Sequence, residues 1–466
     1  MTARHYSPRS VTIVVTEFTW IAVTLAVAIS LDLAWQDVSL HVDQLVPQVI
    51  FAALLYLAGF YYADLYNFSE LQLRREWIAA VVRAFSVMAL VFGVLFLCTD
   101  WLEFRSSTLL IHLWLTTAFV AVFRNSVDAL LNRYGVTTRI AIVGAGAEAQ
   151  GLAKEIGRRQ ECGHQVVCFV SPDGEPGTIP VVCSNPGLRT VPVVPAASLL
   201  ETVKAHGIKR ILVATADLGT ALPLQELLRC KTEGYQVEDG HTFYERLLGR
   251  IMTAHLRPEW LIFSDGFVRS ASVRVVKRAV DLVASLCLLL LTAPLYAVVS
   301  LAIKMEDGGP VLFSQTRVGE QGTLFTLRKF RSMRVDAEAE TGPTWAVDDD
   351  QRVTRVGRWI RKLRIDEIPQ AWNVLLGEMS FVGPRPERPE FVATLREVIP
   401  YYDQRAGVKP GITGWAQVNF PYGATVEDAR EKLEYDLYYL KNFSVLLDAY
   451  IIFRTLKIIL LGWGSR

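Results

Sequence analysis

The chain has 466 residues, 51% of them hydrophobic, and its 48 Lys and Arg against 47 Asp and Glu leave a net charge of +1. That length accommodates two or three domains, and the near-balance of charge excludes a global field for nucleic acid. Six cysteines, at 98, 162, 168, 183, 230 and 287, form no CxxC and no zinc-ligand spacing, which predicts a reduced, cytoplasm-facing protein.

Four apolar runs come first, at 11–31, 46–64, 79–98 and 107–123. Each approaches the ~20 residues a helix needs to cross a bilayer. The flanking charges alternate: Arg4 and Arg9 before the first run, Asp32, Asp37 and Asp43 after it, Arg74 and Arg75 after the second, Asp100 and Glu103 after the third, Arg124 and Arg133 after the fourth. Arg105 is the exception. The positive-inside rule then predicts a four-helix transmembrane bundle over 1–130 with both ends in the cytoplasm. The first run is longer than a signal-peptide core and three more follow, so it reads as an anchor.

Residues 131–250 predict a parallel α/β domain. Strand patterns at 140–143, 165–170, 191–195 and 210–217 alternate with helical ones. Gly144 and Gly146 close the first strand, Ala149 stands where a third glycine is common, and Asp173 lies at the distance of a ribose-binding acid. These glycines are candidate nucleotide-binding residues in a Rossmann-like domain; a tight turn that binds nothing explains them equally well.

Residues 251–275 are expected to be a linker. The run at 277–305 has the length of a fifth span, but Lys277, Arg278 and Lys304 flank it and Pro294 interrupts it. A helix–break–helix that dips into the membrane and returns is expected, with Thr292 a candidate donor to the carbonyls freed at the break. The final segment, 444–466, is expected to lie in the interface, with Asp448, Arg454 and Lys457 on its polar face and Trp463 at headgroup level.

The chemistry is expected in 276–466. All seven histidines precede residue 256, so neither a Ser-His-Asp triad nor a His-ligated metal can be built there. A helix over 354–376 would carry Arg355, Arg358 and Arg361 or Lys362 on one face, then the adjacent acids Asp366 and Glu367, then Pro369. Successive helical positions diverge by about 100°, so the two acids suit different tasks: one attacking phosphorus, one holding a metal or a proton. Taken alone, a solvated charged helix would explain the segment. Its surroundings favour phosphate handling. Lys329 and Arg331 alternate on an expected strand, Arg385 stands between two prolines, and Arg405 and Lys409 flank a Gly-rich loop.

In order, KR-xx-D, KFRSM, R-xxxx-DE-x-PQ, GPRP and KPGITGWAQV resemble the bacterial sugar transferases, the polyprenyl-phosphate hexose-1-phosphate transferases, from Lys277 onward. The upstream regions resemble the large polytopic members that initiate exopolysaccharide or O-antigen repeat units. The resemblance implies transfer of a hexose 1-phosphate from a UDP-sugar to undecaprenyl phosphate, with release of UMP, at the inner face of the bacterial cytoplasmic membrane. It implies Asp366 as nucleophile, Glu367 as its metal- or proton-handling partner, Mg²⁺ as cofactor, Lys329 and Arg361 as ligands of the diphosphate, and Arg385 as a ligand of substrate phosphate or of the uridine side. Pro294 would mark the break of the membrane-dipping helix, with Lys277, Arg278 and Asp281 anchoring its start. Expected partners are the donor, the lipid acceptor and downstream glycosyltransferases; a homodimer is compatible, and no nucleic acid is expected. Arg364 departs from the Ser or Thr common two residues before the Asp. The alternatives are an NAD-dependent nucleotide-sugar-modifying enzyme, which lacks a Tyr-x-x-x-Lys here, and a non-catalytic assembly scaffold, which would not need the acidic pair.

Overall fold

A computed structural model describes residues 8–35, 42–62, 74–98, scattered positions between 112 and 126, 138–158, 163–171, 177–183, 187–215, 222–253, 256, 258–268, 270–337, 350–420, 423 and 425–461. The chain separates into two compact units, 3–240 and 241–466.

The first unit begins with helices α1 (Pro8–Trp35), α2 (Val42–Tyr62) and α3 (Arg74–Cys98). They share one apolar core of Ile21, Leu25, Ala52, Tyr56, Phe60, Ala84 and Met88. About half of the fourth apolar run lies outside the described residues, but Val120 joins this core and His112 bonds both Thr24 and Tyr56. Val15, Val23, Leu54, Val82 and Leu90 are exposed. These helices therefore bury one stripe together and leave apolar side chains exposed on the other.

A six-stranded sheet follows, in spatial order β3-β4-β2-β1-β5-β6. Its strands are β1 (Thr138–Val143), β2 (His164–Ser171), β3 (Gly177–Cys183), β4 (Gly187–Pro195), β5 (Arg210–Val213) and β6 (Gln236–Asp239). Five strands run parallel, and β3 alone is antiparallel, against β4. The short β6 had no signal in the mixed composition after 218. Gly144 is required for packing: its φ is +116°, and a Cβ there would sit 2.2 Å from the Ala214 carbonyl oxygen. Gly146 has open space around it. The carboxylate of Glu148 is buried in the first turn of the helix that follows, so that N-terminus already carries an anion of the chain's own. Asp173 lies outside the described residues.

The second unit begins earlier than expected. The 251–275 stretch is packed against the rest of the unit, and so is the segment just before it. Trp415 donates to the Gly249 carbonyl (2.6 Å), Ile251 N to Glu434 O (3.0 Å), and Thr253 N to the Glu434 carboxylate (2.9 Å). Lys441 pairs with Glu245 at 2.6 Å and lies over the Trp260 ring. A linker with such partners would leave buried polar groups unsatisfied if it came free.

A 37-residue helix, Ala271–Asp307, is the one described helix long and apolar enough to cross a membrane. It runs helical through Pro294, in place of the expected helix–break–helix. Thr292 Oγ1 donates to Leu288 O (2.6 Å), its own i−4 carbonyl, so it does not serve the Leu290 carbonyl that Pro294 leaves without its usual N–H. Val280, Val283, Leu286, Leu290, Leu291 and Val298 are exposed, while Asp281, Ser285, Val299 and Ile303 are buried.

The remainder is small and mixed: a hairpin of Leu312–Val318 with Leu324–Phe330, a parallel pair of Ser380–Val382 with Gly411–Thr413, and short helices around them. The last helix, Val445–Leu461, reverses the expected arrangement. Two of its three expected polar-face residues turn inward: Asp448 binds Lys277 (2.5 Å) and Tyr439 (2.7 Å), and Arg454 binds Asn419. Leu446 and Leu456 face outward. Trp463 lies outside the described residues.

Candidate active site

The expected helix over 354–376 is two helices with the acids between them. The first, Arg355–Lys362, is capped by Thr354, whose hydroxyl accepts from Gly357 N at 2.9 Å, and by Glu306, which accepts from Arg355 N at 2.7 Å. Gly357 lets it approach the strand end: a Cβ there would lie 2.0 Å from Ser332 O. The chain then turns through Arg364, which takes the left-handed conformation (φ 56°), into a 3₁₀ turn of Ile365–Glu367. Ile368 N donates to Ile365 O at 3.1 Å, so the carbonyl that Pro369 cannot serve is satisfied one residue earlier. The second helix, Gln370–Leu376, starts at Pro369.

Asn373 locks this arrangement to the hairpin. Its carbonyl oxygen accepts from Arg328 N (3.2 Å), and its amide donates to Thr326 O (2.7 Å) and Glu378 (2.6 Å). The 3₁₀ turn therefore packs against the strand carrying Lys329. Nothing in the local sequence marked Asn373; its role depends on a strand 45 residues away.

Asp366 is buried and Glu367 half-buried. Burial, reinforced by the Glu367 carboxylate, pushes Asp366 up to about 6, against the opposing pull of Lys329, Arg361 and Arg364. Burial brings the Lys329 ammonium down to about 8, and the Asp366 charge partly restores it. Both guanidinium Nη atoms of Arg385 donate to Glu367 Oε1 at 3.2 Å, and Arg364 approaches the same oxygen at 3.6 Å. The site is thus two carboxylates in distinct settings: one buried near Lys329, and one gripped by Arg364 and by Arg385, which also lines a cleft with Gly319, Gly322, Glu387 and Tyr402.

Asp366, Glu367, Lys329, Arg361 and Arg385 come together; other expected phosphate ligands do not. The strand ends at Phe330, so the alternation does not carry Arg331 to the same face: its guanidinium pairs with Asp307 and donates to Pro310 O (2.6 Å). Arg405 is buried against Asp436 (2.9 Å). Lys409 Nζ is 3.5 Å from where a Gly377 Cβ would stand, at the C-terminal end of the second helix. Arg278 is there too, donating to Val374 O (2.6 Å) and Leu375 O (2.9 Å), as cations do at helix C-termini. Lys277 holds Val382 O (3.0 Å), and Asp281 accepts from Ser380 (3.1 Å) and Phe381 N (3.0 Å), so the start of the long helix is fastened to the parallel pair. The Gly-rich loop is not an open anion cradle. Gly383 N donates to Thr413 O and Gly411 N to Pro384 O, both at 2.9 Å.

The model of the family described as bacterial sugar transferase matches residues 272–462. The undecaprenyl-phosphate glucose phosphotransferase of Komagataeibacter xylinus is 31% identical over 459 residues, covering 94% of this chain and 82% of that protein. The chain belongs to the bacterial sugar transferase family. A UDP-N-acetylgalactosamine-undecaprenyl-phosphate N-acetylgalactosaminephosphotransferase of Aeromonas hydrophila is 44% identical over 240 residues, or 52% of this chain and 56% of that one. The UDP-glucose:undecaprenyl-phosphate glucose-1-phosphate transferase of Escherichia coli K12 is 44% identical over 184 residues, 39% of each chain. These sugar transferases act on different sugars by name, so family membership leaves the sugar of this chain open.

Proposed function

We propose that this protein transfers a hexose 1-phosphate from a UDP-sugar to undecaprenyl phosphate, releasing UMP, as the first membrane step of a surface polysaccharide repeat unit. The observation that carries the reading is Asp366: a buried carboxylate opposed by Lys329 and Arg361, beside a second carboxylate already gripped by Arg385.

An Asp366 carboxylate oxygen attacks the sugar-side phosphorus of the donor. The bond to the bridging oxygen breaks, and UMP leaves with that electron pair. A phosphate oxygen of undecaprenyl phosphate then attacks the same phosphorus and Asp366 leaves as carboxylate, giving the lipid diphosphate sugar. Lys329 and Arg361 offset charge building on the phosphoryl oxygens, and Arg385 orients the donor through its diphosphate. Asp366 and Glu367 suit a hard divalent cation that takes its other ligands from substrate phosphate and water, and no group of three or more ligating side chains is found among the described residues. Mg²⁺ held there would neutralise diphosphate charge.

The reading includes a membrane placement. Both flanks of the long helix pack on one unit: Lys277 and Asp281 on the parallel pair, Val299 and Ile303 against Phe330 and Ile360. With both flanks on one soluble domain, the helix favours entering and leaving the membrane by the same, cytoplasmic, face, bending at Pro294 without losing its helical backbone. The upstream helices serve as further spans, and the sheet with Gly144 and Gly146 as a Rossmann-like accessory domain, with or without a nucleotide. The lipid-linked product suits downstream glycosyltransferases.

The test is radiolabel transfer from a panel of UDP-sugars to undecaprenyl phosphate by purified protein with Mg²⁺. One labelled lipid product is expected, falling at least ~10³-fold with Asp366→Asn. Labelled lipid at an undiminished rate from Asp366→Asn would sink the nucleophile assignment; no product from any donor would favour a scaffold.

A further inference from the structure

The turn that presents Arg385 is held in an unusual way. Pro384 and Pro386 have no N–H, so its segment offers mainly carbonyls. Four consecutive carbonyls are each taken by a donor from elsewhere in the unit. Pro384 O accepts from Gly411 N (2.9 Å), Arg385 O from Arg405 Nη2 (3.0 Å), Pro386 O from Arg317 Nη1 (3.1 Å) and Glu387 O from Val318 N (3.0 Å). Two of the four donors are guanidiniums. Gly383, Pro384 and Pro386 are buried and Arg385 and Glu387 half-buried, so these carbonyls need donors from the chain itself.

Arg405 is the more committed of the two. Its side chain is 12% exposed and that of Asp436 only 2%. Nε and Nη2 donate to Asp436 Oδ2 at 3.1 and 2.9 Å, and Nη1 to Tyr402 OH at 2.9 Å. A planar guanidinium with its Nε and Nη2 edge on a buried carboxylate has a fixed orientation, so Nη2 also points at Arg385 O by construction. Arg385 in turn places both Nη atoms on Glu367.

We propose that Arg405, oriented by Asp436, is a positioning residue: it fixes the Pro384–Glu387 turn so that Arg385 meets Glu367 and the donor. This replaces the phosphate-ligand role expected of Arg405 from sequence, and it rests on the transferase reading for its kinetic arm only. Arg405→Lys keeps the buried charge but cannot hold Asp436 and Arg385 O together. Arg405→Met with Asp436→Leu removes the pair and leaves no buried charge, a replacement that commonly preserves folding.

The test has two arms, on full-length protein in nanodiscs. In hydrogen exchange, either variant should speed exchange at Gly411 and Val318, whose N–H groups donate to the turn's carbonyls, at least ~10-fold while leaving the Asn373 helix unchanged. In kinetics, Arg405→Lys should lower kcat/KM for the donor ~10-fold in the wild-type background, but less than about twofold in Arg385→Ala, because the same contact is already lost. Losses that multiply across the two backgrounds, or exchange at Gly411 and Val318 that stays at the wild-type rate, overturn the proposal. An inactive wild type would refute the transferase reading instead. In that case, or if Arg385→Ala is too slow to measure, the exchange arm decides alone.

Discussion

At Asp366 and Lys329 the environment sets the working pH. A nucleophilic carboxylate must be ionised, and burial and Glu367 push Asp366 up to about 6; the cation that offsets phosphate charge must stay protonated, and burial brings Lys329 down to about 8. Raising pH through 6 therefore creates the active form and raising it through 8 removes it. The expected profile of kcat/KM is a bell between those values. Lys329→Arg should lift the alkaline limb beyond the range of measurement, because a guanidinium stays charged; an alkaline limb unmoved by that change would clear Lys329 of the role. Arg364 offers a separate probe. A non-glycine residue in the left-handed region costs roughly 1–2 kcal/mol, and glycine there regains it less ~0.5–1 kcal/mol of chain entropy. Arg364→Gly should thus hold stability within about 1 kcal/mol while slowing transfer through the lost cation beside Glu367. A drop of several degrees in unfolding temperature would mean Arg364 anchors the turn rather than the substrate.

The helix Gln370–Leu376 is short, and its placement rests on its buried Asn373 more than on its own propensity. Asn373→Ala would leave Arg328 N and Thr326 O without their partner. A loss of about 2–3 kcal/mol is expected, read as a lowered thermal midpoint. The segment 241–253 makes a comparable demand. Gly249, Ile251 and Thr253 give or take hydrogen bonds within the second unit, and Arg250 pairs with both Glu431 and Glu434. A fragment of 241–466 should purify folded and retain transfer, whereas one beginning at 276 should aggregate, since it strips the partners from Trp415, Glu434 and Lys441. Equal solubility of the two fragments would show that this strap is dispensable.

For the whole molecule, the long helix has the length and the exposed apolar side chains, Val283, Leu290 and Leu291 among them, that suit a membrane element even without the upstream helices. The 241–466 fragment is expected to sediment with membranes and resist high salt. Single cysteines introduced near Ser272 and Met305 should label from the same side of sealed vesicles; labelling from opposite sides would favour a spanning helix over a returning one. Much of this was written locally. The apolar runs, the first strands of the sheet, and the ordered motifs around Asp366, Glu367, Lys329 and Arg385 are legible because each depends on neighbours a few positions away. Hydropathy, turn chemistry and motif spacing are properties of the chain. The fates of Arg331, Arg405 and Lys409 are not. A cation looks the same in sequence whether it meets a substrate phosphate or a buried carboxylate, and which one it meets depended on where Asp307, Asp436 and the end of the Asn373 helix came to rest. The same holds for Pro294, which predicts a break from its missing N–H yet sits in a helix that continues through it. Folding gave those groups their partners, and a desolvated charge takes the partner that folding supplies.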